Sequence, residues 1–213
     1  MKLVSLFFAL VLTGCASLLT SNANIHHFYV LNPVGEVIDA DYPAPIRLAV
    51  QRPVLPGWLD TQNIMLRRAQ NQVDFYAEAR WVENAGDMLG QVITQSLENN
   101  YVVNDIHYSD DELHSNYILE TEIIAFQADY PPDYSQGQID AEQVPVVKFG
   151  LHAKLISMPD RKVHARFTIN NQVVAKENRL REIIKAFDAA VQISMIQLVQ
   201  YTDRDLGVEG DLE

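Results

Sequence analysis

Cysteine is almost absent from this chain of 213 residues: there is one, at position 15. A single thiol can neither close an intramolecular disulfide nor build a thiolate metal centre. It is left as a packing residue, a nucleophile or a point of attachment. Positive charge is also scarce. Sixteen Lys and Arg face 28 Asp and Glu, for a formal net charge of −12, and so acidic a chain repels nucleic-acid phosphates. The nine glycines are scattered. No Walker pattern, G-x-G-x-x-G or G-x-S-x-G occurs, which excludes the familiar phosphate-cradling loops and the nucleophile elbow. After the first 14 residues no apolar run approaches the roughly 20 needed to cross a bilayer as a helix. What is present is 48% hydrophobic and 21% charged, the composition of an ordinary globular protein. The length suits one substantial core and is short for two.

Position decides the role of the lone thiol. Met1 and Lys2 make a short positive start, Leu3 to Leu12 are almost wholly apolar, and Thr13 and Gly14 are small. This is the layout of a secretory signal. Leu12-Thr13-Gly14-Cys15 resembles the lipobox of bacterial lipoproteins. The resemblance implies that residues 1–14 are a signal peptide cut before Cys15. It also implies that the Cys15 thiol receives a diacylglycerol and the new amino terminus an acyl chain such as palmitate. Two or more chains hold a protein stably where one is marginal. No dissociable cofactor is expected. Ala16 stands where an Asp would resemble an inner-membrane retention signal, which implies the periplasmic face of the outer membrane of a diderm bacterium. Losing Lys2 with the leader makes the mature chain one unit more negative.

Residues 15–26 read as lipidated Cys and tether, 27–201 as one domain, and 202–213 as an acidic, disordered tail. Within the domain, "HFYVLN" (27–32) is a predicted first strand and 33–45, with Gly35 and three prolines, a loop. "IRLAVQRPV" (46–54) alternates as a half-buried strand, "LPGW" (55–58) is a turn, and 63–69 with 72–78 form a hairpin. The period then becomes helical. Trp81, Ala85, Met88, Leu89, Val92, Ile93, Ser96 and Leu97 form a stripe opened by Trp81, on the core side. Asn99-Asn100 ends it, since Asn tolerates the left-handed conformation at a helix stop. Residues 101–108 return to a strand, 109–115 are a polar loop, and three longer strands cover 116–130, 144–157 and 162–175. A second helix spans about 178–201 on a stripe from Leu180 to Leu198. The expected fold is α+β: a mixed sheet with two long amphipathic helices packed on one face.

The residues offer little chemistry. His107 and His114 flank Asp110, Asp111 and Glu112, yet the run lacks the spacing and Gly of a calcium loop and reads as a solvated acidic loop. His26 and His27 would point to opposite sides of a strand. Pairing Met158 with Arg161 across "MPDR" puts His152 opposite Phe167, three residues from His164, and so places the two His on opposite faces. No metal site and no enzymatic signature are expected. Trp58, in a Pro-Gly turn, is either an interface anchor or a cap on the core, and Tyr130 and Tyr134 flank an aromatic loop.

From Phe28 to about Leu89 the chain resembles the ABC-type transport auxiliary lipoproteins, the companions of mammalian-cell-entry (MCE) domain transport systems. Leu55, Pro56, Trp58, Leu59 and Asp60 match that family's turn, with Gly57 intervening. Ile64 and Arg68 match its next strand, and Tyr76 and Trp81 the approach to its helix. Trp81-Val82-Glu83-Asn84-Ala85 departs from the family's usual Trp-Ala-Glu-Pro-Leu. The resemblance implies a non-enzymatic, lipid-anchored adaptor of intermembrane lipid transport, docking an MCE-domain protein that spans the periplasm. Trp58, Leu59, Asp60 and Arg68 are then candidate partner-binding residues, and a homo-oligomer is compatible. Other readings are a periplasmic lipid-binding carrier, with a cavity between sheet and helices, and an unrelated envelope assembly factor. The anchor makes a first prediction: Cys15→Ala moves the protein from the membrane to the soluble fraction. Retention on washed membranes would show that something other than Cys15 holds it there.

Overall fold

Two periodicities in the sequence become eight strands and two helices in the computed structural model, which describes residues 26–35, 44–69, 72–100, 103–108, 115–131, 143–158 and 160–207. In chain order these are β1 (His27–Tyr29), β2 (Ala44–Val50), β3 (Asn63–Ala69), β4 (Gln72–Trp81), α1 (Ala85–Glu98), β5 (Val103–Tyr108), β6 (Tyr117–Asp129), β7 (Val146–Ser157), β8 (Lys162–Val174) and α2 (Leu180–Gly207). The fold is the α+β single domain expected from the sequence, with a curled mixed sheet. Cys15 and the whole leader lie outside the described residues, as do Asp110, Asp111, Glu112, His114 and Tyr134. No helix among the described residues is long and apolar enough to cross a membrane.

The thirteen-residue β6 organises the sheet. One edge pairs antiparallel with β7 along its full length, and β7 pairs antiparallel with β8. The other edge is shared by two strands, both parallel to it. β2 takes Tyr117 to Leu119, and β3 takes Ala128 and Asp129. The sheet therefore forks at β6, with β5 outside β2 on one arm, and β4 then β1 outside β3 on the other.

Both helices share one apolar core with the sheet. Its centre is a group of four rings. Trp81 stacks on Phe126 at 5.3 Å, Phe187 meets both edge-on at 5.3–5.4 Å, and Phe149 meets Phe126 edge-on at 6.0 Å. These rings bind β4, β6, β7 and α2 together, and all four are essentially buried. Such offset and edge-on geometries suit the ring quadrupoles. Asn171 of β8 donates to Ser194 Oγ and Gln197 Oε1 of α2, both at 2.9 Å. These bonds set how α2 lies along the hairpin.

Four local expectations are corrected. Trp81 ends β4 and the helix starts only at Ala85, because Trp81 N bonds to the Gln62 carbonyl at 2.7 Å and continues the sheet. Its core position is as expected. Asn99 ends α1 in a right-handed conformation, φ −61°. The asparagines stop the helix with their side chains. Asn99 Nδ2 donates to Val34 O at 2.9 Å, and Asn100 Nδ2 to Gly35 O at 3.0 Å and Ser96 O at 2.8 Å. The third correction is in the β7–β8 hairpin. A bulge beside Leu155 and Ile156 shifts the pairing, so His152 faces Thr168 rather than Phe167. The two His still stand apart. His152 shares a 2.9 Å bond with Thr168, while His164 Nε2 donates to the Asp205 carbonyl of α2, 2.9 Å away. Finally, residues 202–207 are helix rather than disordered tail. Leu198, Thr202 and Leu206 are fully buried, and their four-residue spacing continues the apolar face beneath the charged "DRD".

The ring cluster makes a prediction. Phe126→Ala should cost about 3–5 kcal/mol in urea unfolding, the usual range for a buried aromatic. A loss below about 1 kcal/mol would mean the core is centred elsewhere.

Candidate functional site

The fork leaves a gap along β6 that the chain between β2 and β3 crosses. After Val50 this segment stays beside β6: Gln51 N donates to Leu119 O at 3.1 Å, Val54 N to Thr121 O at 2.9 Å, and Ile123 N to Val54 O at 2.8 Å. Pro53 sits buried between the donors, at a place where it need donate nothing. The chain then turns over. Leu59 N and Asp60 N both bond to Pro56 O, at 2.8 and 3.1 Å, and Thr61 Oγ1 accepts from Asn63 N at 2.9 Å, which starts β3. The turn buries Leu59 to 1% and leaves Trp58 41% exposed.

Arg52 locks this turn to α1. Its Nε donates to Asp87 Oδ1 at 2.7 Å, and Nη2 donates to both Asp60 oxygens at 3.0 Å. Asp60 Oδ1 also accepts from Gly86 N at 3.1 Å. A helix start has unpaired N–H groups and a partial positive charge. The N-cap residue, Asn84, makes no side-chain cap bond, so a carboxylate from the turn supplies one. Gly86 is needed for this approach, because a Cβ there would lie 2.6 Å from Arg52 Nη2. The hydrogen bond from Arg52 holds the Asp87 carboxyl below its usual range, and the two carboxylates hold the Arg52 guanidinium above its own.

On the sheet face opposite the helices, a groove of about 440 Å³ runs beside the same segment, with Arg52, Val54, Glu120, Glu122, His152 and Lys154 in its lining. Lys154 stands 3.7 Å from Glu120. His152 and Thr168 share a hydrogen bond, but among the described residues no carboxylate orients the other ring nitrogen. Nor do the described residues contain a group of three or more His, Cys, Asp or Glu placed to hold a metal. This surface can bind charged or polar groups.

The candidate partner-binding residues separate into different roles. Trp58 is presented outward. Leu59 is core, and Asp60 faces Arg52 and the helix start, so both position the turn. Arg68 is not near them. It lies five residues along β3 from Asn63, about 17 Å away, and pairs with Asp74 across the hairpin at 3.2 Å. His107 shares a 3.3 Å bond with Ser115. The sequence reading missed Arg52 and Asp87. An Arg just before Pro53, and an Asp in the first turn of a helix, were the available signals. It also missed Asp129. Burial works to raise that carboxyl, but hydrogen bonds from Arg67 and Lys148 outweigh it and hold it low.

Residues 29–197 match the family described as "ABC-type transport auxiliary lipoprotein component". A solved Xanthomonas campestris protein assigned to family DUF330 is similar in structure, with TM-score 0.73 and 21% identity over 86% of this chain and 99% of that one. A second solved structure, of an uncharacterised protein, gives TM-score 0.60 and 12% identity over 83% of this chain and 97% of that one. No curated protein matches the chain.

The clamp has a pH signature. A carboxyl held low in the folded state stabilises fully above its unfolded value, about 4, and loses that contribution as pH falls through the folded value. Asp87→Asn should therefore be less stable than wild type at pH 7. The gap in urea midpoint should close as pH drops from about 4. A gap of constant size down to pH 2 would mean that the Arg52–Asp87 charge pairing contributes nothing.

Proposed function

The chain belongs to the family of ABC-type transport auxiliary lipoprotein components, and on that footing we propose that it is a non-enzymatic adaptor. It is anchored through acyl chains on Cys15 at the periplasmic face of the outer membrane, and there it docks the MCE-domain protein of an intermembrane lipid transport system. Membership makes it a lipoprotein of a transport system in the cell envelope. The finer assignment takes its support from one observation: Trp58 is exposed on a turn held by the core, by Arg52 and by the start of α1.

An aromatic side chain makes a strong interface anchor when little freedom remains to be lost on binding. Leu59, in the core, fixes the turn from below. Arg52 fixes it from the side through Asp60, and the start of α1 fixes it from behind. The indole is thus presented by a backbone already ordered in the free protein. Trp81, Phe126, Phe149 and Phe187 meet at the centre of the interior between sheet and helices, which is why a carrier holding lipid there is not the favoured reading.

Trp58→Ala should weaken capture of the MCE-domain protein by roughly 30-fold or more, the size of an interface hot spot. Folding stability should change by less than about 0.5 kcal/mol. The partner is identified by mild crosslinking in native cells, purification on a C-terminal tag and mass spectrometry. Recovery of cell-wall synthases in its place would sink the transport reading. A stability loss of about 3–5 kcal/mol would make Trp58 a packing residue.

A further inference from the structure

Three large apolar side chains lie together where the domain begins. β1 runs parallel to β4, with Phe28 beside Arg80 and Tyr29 beside Trp81. Val82 N donates to Tyr29 O at 2.9 Å and carries the register one step further. Ala79 and Trp81 point into the core, each 1% exposed. Strand alternation therefore sends Phe28 and Arg80, then Val30 and Val82, to the opposite face. Phe28 is 62% exposed, Val30 59% and Val82 44%. Arg80 sits among them and donates to Asn63 Oδ1.

Two further observations concern the chain that leads into this patch. From Cys15 to Gly35 there is no Asp, Glu, Lys or Arg, in a protein whose net charge is −12. His27 lies twelve chain steps after Cys15. Twelve steps of chain can span at most about 40 Å. With Cys15 in the bilayer, β1 is the described strand that follows it first along the chain. An anionic bilayer surface repels most of this acidic chain, and the uncharged lead-in with its apolar patch is the part it repels least.

We infer that Phe28, Val30 and Val82, around Arg80, form a membrane-contact surface that rests on the lipid headgroup layer. The inference depends on the acylation of Cys15 proposed above. The apolar side chains enter the boundary between headgroups and acyl chains, and the Arg80 guanidinium faces lipid phosphate. The acyl chains then act as the tether, and this patch sets which way the domain faces, turning its other surfaces toward the periplasm.

The lone cysteine makes the test direct. Full-length Phe28→Cys, Val82→Cys and Val174→Cys proteins are purified from membranes, spin-labelled and returned to phosphatidylethanolamine–phosphatidylglycerol vesicles. Val174 is the control, at 61% exposure and five strands away, about 24 Å. Collisions with oxygen, which enters the bilayer, are compared with collisions with a water-soluble nickel chelate. The expected result is one label per chain, with an oxygen-to-nickel ratio at positions 28 and 82 several-fold above that at 174. One label per chain with equal ratios at all three positions overturns the patch and leaves the anchor standing. Low collision with both reagents at 28 and 82 marks a protein cover, from a partner or a second copy, and also overturns the lipid assignment. Two labels per chain mean a free Cys15 thiol, which overturns the anchor and the patch together. If Phe28→Cys fails to fold, Val82→Cys alone decides.

Discussion

One edge of β6 serves two strands, and most of the molecule follows from that division. β2 ends after matching three residues of β6, and β3 joins only at its far end. The backbone groups between would be unpaired and half-buried, a costly arrangement. The connecting segment solves this by following β6 through Gln51 and Val54 before it turns. It must then leave the sheet plane within a few residues, and Pro56 to Asp60 is the result. The position of that turn is fixed by the backbone hydrogen bonding of the sheet, and the clamp at Arg52 follows from where the turn arrives, against the first turn of α1.

The same division explains why the charges lie where they do. In a protein with an excess of acids, Arg52 satisfies Asp60 and Asp87 at once, while Arg67 and Lys148 converge on Asp129. Each cluster sits where one arm of the fork leaves β6: Arg52 beside the end of β2, Asp129 beside β3. These partly buried, multiply bonded carboxylates resist swelling at places where the sheet has lost continuous pairing. Exposed pairs such as Lys162–Asp160 contribute little by comparison.

Much of this was legible in the sequence. Apolar alternation located the long strands to within two residues, because each has one face on a core built mainly of apolar side chains. The stripe of α2 was equally plain as far as Leu198, and Thr202 hid its continuation because a buried hydroxyl reads as surface. Trp81 was read as core but assigned to the wrong element. Ala79 and Trp81 fit strand spacing while Trp81, Ala85 and Met88 fit helical spacing, and only the bond to Gln62 decides between them. The fork was not legible, since strand order depends on contacts between residues far apart in the chain. The Arg52 clamp shares that difficulty: Asp87 in a first helical turn was a visible signal, but its pairing with an Arg 35 residues away was not. Trp58 was identified but its setting was not, and Leu59 and Asp60 were grouped with it although the turn faces them inward.

Residues Leu31 to Gly35 hold a position that matters once the protein bears load. Asn32 is held by Asp188 and Gln192 of α2, and Val34 and Gly35 by Ser96 of α1 and by Asn99 and Asn100 just past its end. A pull arriving from the amino-terminal side meets β1 first, a strand only three residues long. Its bonds to β4 lie across the line of force and share it in shear rather than opening one after another. Behind them the strain passes to two helices in turn, α2 holding Asn32 and the end of α1 holding Val34 and Gly35. The amino-terminal end of this domain is a mechanical fastening, with a short sacrificial strand in front of a double lock.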